Sequence, residues 1–426
     1  MTPGSNPFGH ARRRGFTLVE LMVAITGGLF VALVVFIVSR NTGRFYRNET
    51  RAGEATLGGI VGFERLRAEI GRAAFLSSPN VQTDPKACRG PLGTTGWPDQ
   101  LARLSTARIF QNATTNSTLA LPENNRSPDR IVLMGSFASV DQYPIRRVDT
   151  NGASGFRVTL ATGNAAMARL GYDPAAPAAD REAALRSVFA TGRALRITDR
   201  KGFSYFGAIT DVDVTTTADV ILAAAPTIPL AAGTQVCEIS GFCVGCMANV
   251  VNFVQYDVRK LAGSPELPSP DPYAPIYDDG GAAPYEADRT ELARVELDVT
   301  GTPIQGTLEL IAEYVVDLKF GLTVDVRTPA TSDPTLHGIL PGSPDVSAFA
   351  DDPVGNPAVQ PERIRAIRAR LSVRSSEADR EQNLNSTLVS GVAPGMFRFK
   401  LANGAYARVR TVQSDIALNN TTGEAW

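Results

Sequence analysis

The chain contains 426 residues, with 42 Lys and Arg, 43 Asp and Glu, and a formal net charge of −1 at pH 7. Its 43% hydrophobic and 20% charged residues are typical of a folded globular protein and exclude a wholly disordered chain. The near-neutral charge gives no electrostatic case for a nucleic-acid partner, so none is expected.

The first predicted element is an apolar helix behind a basic leader. Residues 16–38 are mostly Leu, Val, Ile, Phe and Ala, and Glu20 is their only charged side chain. At about 1.5 Å per residue, a helix of this length spans roughly the 30 Å hydrocarbon core of a bilayer. An ordinary secretory signal would end in a small-residue cleavage site after the apolar run, and this one does not. We therefore predict a transmembrane segment at 16–38, followed by an exported domain.

The junction between leader and apolar run carries a recognisable pattern, since residues 12–22 read RRRGFTLVELM. This pattern resembles the class III signal of type IV prepilins. The resemblance implies that residues 1–15 are a leader, which a membrane prepilin peptidase removes by cutting after Gly15. It also implies that Phe16 becomes the N-methylated amino terminus of the mature protein.

Glu20 needs a physical reason, because a carboxylate within an apolar helix costs several kcal/mol unless it is paired or held near the interface. Cleavage before Phe16 would free an α-amino group, cationic at neutral pH, that could neutralise Glu20. The resemblance to pilins implies pairing between subunits, which sets the stagger of neighbouring stems. The alternative is a permanent single-span anchor with Glu20 at the level of the headgroups.

The helix is predicted to continue as a stem over 16–78, since no proline interrupts these residues. Apolar side chains recur there at spacings of three or four, which predicts a face that packs on the domain: Leu57, Ile60, Phe63, Leu66, Ile70 and Ala73. The pairs Gly27-Gly28 and Gly58-Gly59 are candidate bends, or sites of close packing against neighbouring helices.

Residues 79–426 show the pattern of a mainly antiparallel sheet domain. Short runs rich in β-branched or alternating residues predict strands at 130–134, 156–160, 194–198, 250–258, 294–299, 317–326 and 367–373. Helices are predicted at 180–189, with Asp180 as the cap, and at 307–315. The fold class is therefore α+β: a long N-terminal helix packed on a large sheet domain. A subdomain inserted at about 80–260 is an open alternative.

Two proline-rich stretches, 263–284 and 328–362, are predicted to be long surface loops that face partners, because proline excludes a central strand. The acidic positions at 271–279 and 351–352 offer oxygen ligands for Ca²⁺, although solvated turns explain them equally well. No other metal or cofactor is expected.

The four cysteines predict two disulfides in an exported domain, and their three pairings stay open: Cys88, Cys237, Cys243 and Cys246. The alternative is that Cys243 and Cys246, in a CxxC arrangement, form a redox or metal pair.

Catalytic patterns are scarce. His337 is the only histidine after the leader, and the motifs of serine hydrolases, zinc proteases and phosphate-binding loops are absent from the sequence, so we expect no enzymatic activity. In a strand, Arg363 and Arg365 share one face and Arg368 and Arg370 share the opposite face. Unless a bulge intervenes, this arrangement favours a solvated sheet face over an anion site.

A second resemblance lies towards the C-terminus. Residues 308–325, 361–374 and 405–412 look like the C-terminal order of PilW-type minor pilins, and residues 39–47 are similar to the polar stretch that follows the span in that family. The resemblance implies a minor pilin that primes pilus assembly and stays at the tip. Its partners would be other minor pilins, the major pilin and a tip adhesin. A pseudopilin at the tip of a type II secretion system and a membrane-anchored ligand-binding module or enzyme are the alternatives.

Overall fold

The computed structural model describes residues 17–89, 93–114, 119–121, 124–152, 155–228, 243, 245–277, 289–326, 335–351, 360–376, 378 and 398–421, apart from the side chains of residues 44, 47, 48, 51 and 52. The chain divides into two compact units, residues 1–53 and 54–426. The predicted leader, with Gly15 and Phe16, lies outside the described residues.

The long helix α1 spans Leu18–Arg72 without interruption. The stem helix is therefore confirmed, and neither predicted glycine pair breaks it. It ends six residues before the predicted limit, because Ala74 and Leu76 adopt φ values of 61° and 49°, which a right-handed helix cannot contain.

The first sheet contains ten strands within the described residues. They are β1 (Ala107–Phe110), β2 (Arg130–Gly135), β3 (Tyr143–Thr150), β4 (Phe156–Leu160), β5 (Ala194–Thr198), β6 (Ser204–Asp213), β7 (Asp219–Leu222), β8 (Met247–Arg259), β9 (Glu291–Leu297) and β10 (Glu309–Ala312). The order is β1-β2-β8-β3-β4-β7-β6-β5, and β9 lies between β8 and β10. Strand β8 is the longest, and eleven of its thirteen residues are buried, so it is the centre of this sheet.

Six of these strands close on themselves. The first half of β8 pairs with β3 on one side and with β5 on the other, which completes the cycle β8-β3-β4-β7-β6-β5. A separate hydrophobic core fills this cycle and includes Ile145, Val158, Leu195 and Val250. The closed cycle occupies residues 143–259, inside the segment where an inserted subdomain was considered. A separately folding subdomain stays a prediction.

The second sheet has five strands in the order β12-β11-β13-β15-β14. They are β11 (Val315–Asp325), β12 (Leu336–Ile339), β13 (Ile364–Arg374), β14 (Arg398–Lys400) and β15 (Tyr406–Ala417). The pairings are antiparallel, as are those of the first sheet. The α+β fold class, with a long helix followed by a large antiparallel sheet domain, is confirmed.

The largest hydrophobic core joins the two sheets to the last part of α1 within the second unit. It contains Phe63, Leu66 and Ile70 of the helix, Leu133 of β2, Val254 of β8, Phe320 of β11 and Leu371 of β13. Burying a side chain of this kind contributes about 1.5–3 kcal/mol, so residues 63–73 are an integral part of the domain. Leu57 and Ile60, predicted for the same apolar face, are exposed.

All the predicted strands are present in the structure, whereas only one of the two predicted short helices is. All seven predicted strands are present, as β2, β4, β5, β8, β9, β11 and β13. The predicted helix at 180–189 is α4 (Ala178–Val188), but Pro177 stands at its N-cap, so Asp180 lies inside the first turn. The helix predicted at 307–315 is wrong: β10 forms there, because Glu309 and Leu310 pair with β9. The described residues also form four shorter α-helices: α2 (Asp99–Ala102), α3 (Ala165–Arg169), α5 (Ala274–Tyr277) and α6 (Asp345–Ala350).

The stretch at 328–362 is more than the surface loop predicted for it. Its described part contains β12, an edge strand of the second sheet, and α6, whose Val346 and Phe349 are buried in the main core. In the part of this stretch that the structure describes, β12 lies at the sheet edge, which agrees with the expectation that a proline-rich segment is excluded from a central strand.

Candidate functional site

The start of α1 is fixed by a reciprocal pair of side chains. The backbone N–H and the hydroxyl of Thr17 both donate to Oε2 of Glu20, at 3.0 and 3.1 Å. In return, the backbone N–H of Glu20 donates to Oγ1 of Thr17 at 3.2 Å. This is a capping box, in which a Thr at the cap and a Glu at the third helical position satisfy each other's backbone donors. The T-x-x-E spacing of Thr17 and Glu20 is visible in the sequence and is a signal for this cap, although the cap was not among the predictions.

This arrangement makes Glu20 a helix-capping residue, whether or not it also forms the predicted charge pair. Its carboxylate is fixed in the first turn by Thr17, the first described residue of the chain. A carboxylate in the first turn is also favoured by the helix dipole. Assembly through Glu20 and methylation of Phe16 stay predictions.

The helix beyond Glu20 is suited to lipid. The stretch Leu18–Gly43 is long and apolar enough to cross a membrane, and none of its most apolar window is buried against the protein. Thr26 is satisfied within the helix, since its hydroxyl donates to the carbonyl of Met22 at 2.9 Å. A row of exposed Leu, Val, Ile and Phe side chains of this length is unstable in water and stable in a bilayer or against other apolar helices.

The last turns of α1 attach to the sheets at very short range. A Cβ on Gly62 would lie 2.7 Å from Cβ of Ala312 and 2.8 Å from the carbonyl oxygen of Ile311. Only glycine permits this approach between helix and strand. At Gly58, one turn earlier, nothing lies within 4 Å of the corresponding position.

A buried ion pair ties the same part of the helix to the first sheet. Arg294 of β9 donates from Nε to both carboxylate oxygens of Glu69, at 3.1 Å each. Their side chains are only 7% and 8% exposed. Two further ion pairs extend the network: Arg65 with Glu69 at 3.3 Å, and Arg294 with Glu309 at 3.5 Å. Burial raises the pKa of Tyr256, beside Glu69, so this residue stays a neutral phenol.

Two of the four cysteines form a disulfide with each other, Cys243 with Cys246. Cys88 is also disulfide-bonded, and Cys237 lies outside the described residues. In this oxidised state the CxxC pair is a structural cross-link at the core of the closed strand cycle, which contains Cys88, Cys243 and Cys246.

Arg363, in the turn just before β13, and Arg365 of β13 both contact Asp325. Arg365 pairs with Asp325 at 3.4 Å, and Arg363 donates to the carbonyl of Asp325 at 3.2 Å. The pairing of β11 with β13 has a register shift close to this site, between Thr323 and Val324 of β11. The contacts of both arginines with Asp325 favour a structural role over an anion site.

Two more arginines of β13 form pairs that differ in burial. Arg370 donates to Asp317 at 3.1 Å, and Arg368 donates to Asp415 at 2.6 Å. Burial raises the pKa of Asp317 in spite of Arg370. The hydrogen bond from Arg368 lowers the pKa of the exposed Asp415.

The residues considered for metal binding or catalysis are separated. His337 lies exposed on β12, paired in register with Val324. Asp271 accepts a hydrogen bond from the backbone N–H of Tyr273 at 2.8 Å, and Asp351 accepts one from the guanidinium of Arg108 at 2.9 Å. Within the described part of the chain, no group of three or more His, Cys, Asp or Glu could hold a metal ion. The acidic positions at 278–279 and 352 lie outside that part.

Comparison with known families supports the assignment of the N-terminal segment. Residues 10–36 match the family described as the prokaryotic N-terminal methylation motif. No curated protein and no solved structure matches the chain. The matched residues include Gly15, Phe16 and Glu20 and the first part of the exposed apolar helix. The chain therefore carries a type IV pilin-like prepilin signal, which implies processing by prepilin peptidase and assembly with other pilins.

Proposed function

We propose that this pilin-like chain is a minor pilin of PilW type, which helps to prime assembly of a type IV pilus and stays in its tip complex. The observation that carries the proposal is the methylation motif at the start of a 55-residue helix whose last turns belong to a large two-sheet domain. One half of such a helix is available to lipid or to other stems, and the other half carries the domain.

The proposed mechanism begins with hydrolysis of the peptide bond between Gly15 and Phe16. The freed amino group of Phe16 is methylated and stays cationic, so it can pair with Glu20 of an adjacent subunit. Pairing removes most of the cost of a carboxylate in an apolar environment. The exposed apolar surface of α1 then leaves lipid for the equally apolar surfaces of neighbouring stems.

The size of the domain favours a tip position over the body of a filament. A compact unit of the size of residues 54–426 is about 50 Å across. Packed helices lie about 8–10 Å apart. A domain this wide fits less easily at every stem of a thin filament than once at its end, which favours the tip.

The proposal places the protein in two locations. Before assembly it is a single-pass protein of the inner membrane with a periplasmic domain, and afterwards it lies at the extracellular tip of the pilus. Its partners are other minor pilins, the major pilin and a tip adhesin, which would link it to twitching motility and cell adhesion. We propose no catalytic activity and no cofactor for the domain.

Deletion of the gene in its own host tests the proposal. We expect few surface pili and weak twitching, both restored by the wild-type gene and not by Glu20→Ala. Immunogold labelling should place the protein at pilus ends, at a few copies per filament. Normal pili in the deletion strain would contradict the priming function. If those normal pili were accompanied by loss of protein secretion, the chain would be a pseudopilin of a type II secretion system.

A further inference from the structure

A row of arginines follows the apolar part of α1. Residues 40–53 contain four arginines and one acid, Glu49. The backbone is helical throughout, and successive residues of a helix are rotated by about 100°. Arg40, Arg44, Arg47 and Arg51 therefore fall within an arc of about 60°, whereas Glu49 lies on the opposite side. Glu54, directly after this stretch, falls on the same side one turn beyond Arg51, so the four arginines leave this side with a net positive charge. We call these four arginines the basic stripe.

The depth of the basic stripe can be estimated from the helix rise. With Glu20 at one interface and Leu21 as the first residue in the hydrocarbon, Arg40 lies about 28 Å further along the axis and Arg47 about 39 Å. The hydrocarbon core is about 30 Å thick, and about 40–45 Å including the headgroups. Each headgroup layer is therefore about 5–7.5 Å thick, so Arg40 lies at the far edge of the hydrocarbon and Arg44, about 34 Å along, lies in the far headgroup layer. Arg47 and Arg51 lie just beyond that layer, within a Debye length of about 10 Å.

Two aromatic side chains lie at the same depth. Phe45 and Tyr46 are 62% and 67% exposed, and their rings meet edge to face at 6.3 Å. Aromatic residues, Tyr and Trp above all, are enriched where a membrane meets water, because they combine an apolar ring with tolerance of a polar surround. This pair indicates that the zone of the basic stripe is an interface between lipid and water.

We infer that the basic stripe is an interaction surface for the headgroups of anionic phospholipids in the leaflet on the side of the domain. Arginine suits this partner, because its planar guanidinium binds phosphate oxygens in pairs. An acidic protein surface is the other partner of fitting charge. The apolar run directly before the stripe and the aromatic pair within it favour lipid.

The surface would hold the unassembled subunit at a fixed depth and attract anionic lipid around it. Lipid binding by the basic stripe is separate from assembly into a filament, and it can be tested without assembly. The full-length protein is reconstituted into phosphatidylcholine bilayers with trace spin-labelled phosphatidylglycerol or spin-labelled phosphatidylcholine. The motionally restricted fraction of each label reports which lipid contacts the helix.

We expect the protein to prefer phosphatidylglycerol about fivefold at about 0.01 M salt, which corresponds to about 1 kcal/mol for a basic residue at an anionic surface. The preference should disappear at about 1 M salt, where the Debye length is about 3 Å. Replacing all four arginines of the basic stripe by Gln should abolish the preference at low salt, and replacing them by Lys should retain it.

The matched control removes four exposed arginines of the sheet domain and so makes the same change in net charge: Arg146, Arg147, Arg200 and Arg410, each to Gln. This variant should keep the fivefold preference. Equal preference in the wild type and in the Gln variant of the basic stripe would overturn the inference and favour a protein partner. Equal loss in the control would overturn it as well, since net charge alone would then explain the effect.

Discussion

The attachment of α1 to the sheets depends on Gly62, and replacing it by Ala tests that dependence. A new methyl group would meet Ala312 and Ile311 at 2.7 and 2.8 Å, where ordinary contact begins at 3.4 Å. Helix and strand must therefore separate by at least about 0.6 Å. Phe63 and Leu66, both buried in the main core, oppose this movement.

The magnitude follows from two opposed effects. Overpacking of this kind costs about 1–3 kcal/mol, and it falls towards the upper part of that range because one contact is with backbone. Gly→Ala inside a helix recovers about 1 kcal/mol. The net prediction for Gly62→Ala is a loss of about 1–2 kcal/mol in the free energy of unfolding. Gly58→Ala, which meets no neighbour, should gain about 1 kcal/mol.

The assay is urea unfolding of both full-length variants and the wild type in detergent micelles, followed by far-ultraviolet circular dichroism. The two substitutions have the same chemistry and lie one turn apart, so their difference of about 2–3 kcal/mol isolates the close approach. If Gly62→Ala is as stable as Gly58→Ala, the helix does not pack on β10 as described.

Two further predictions concern buried charge. Glu69→Leu should lower the free energy of unfolding by about 3 kcal/mol in the same assay, because it leaves Arg294 buried without its main partner. Adding Arg294→Met should recover most of this loss. A double variant as unstable as Glu69→Leu alone would contradict the prediction. Asp317→Asn and Asp415→Asn should differ in pH dependence, measured as the stability of each variant against wild type. Burial raises the pKa of Asp317, so the folded state binds the proton more tightly than the unfolded state does. The free energy of unfolding of the wild type should therefore increase relative to that of Asp317→Asn as pH falls from 7 towards 3.8. The pKa of Asp415 is lowered, so wild type should lose its advantage over Asp415→Asn as pH falls below 3.8. If the stability difference between wild type and variant changed with pH in the same direction for both substitutions, the opposite pKa shifts of Asp317 and Asp415 would be contradicted.

Local pattern sufficed for the membrane helix and for the regular strands. Hydrophobic periodicity and the lack of proline predicted α1 almost to its end, and strands such as β4 and β5 agree with the structure at both limits. The T-x-x-E pattern at Thr17 was also local and could have been found. These features are determined by residues close together in the sequence, so the sequence alone is enough to predict them.

Features made by long-range pairing could not be predicted. Residues 309–312 read ELIA, a string that suits a helix or a strand, and only the partner strand β9 decides between them. The pair of Glu69 with Arg294 joins residues 225 positions apart. The closed strand cycle likewise requires that both edges of β8 find partners, which no local pattern records.

Proteolysis before Phe16, and the positive charge that it creates for pairing with Glu20, are the premise of the proposed function. Intact-mass and peptide mass spectrometry of the protein purified from its host membranes tests this most directly. We predict a mature chain that begins at N-methyl-Phe16 and lacks residues 1–15. A chain that retains its leader in host membranes would contradict the pilin-like interpretation.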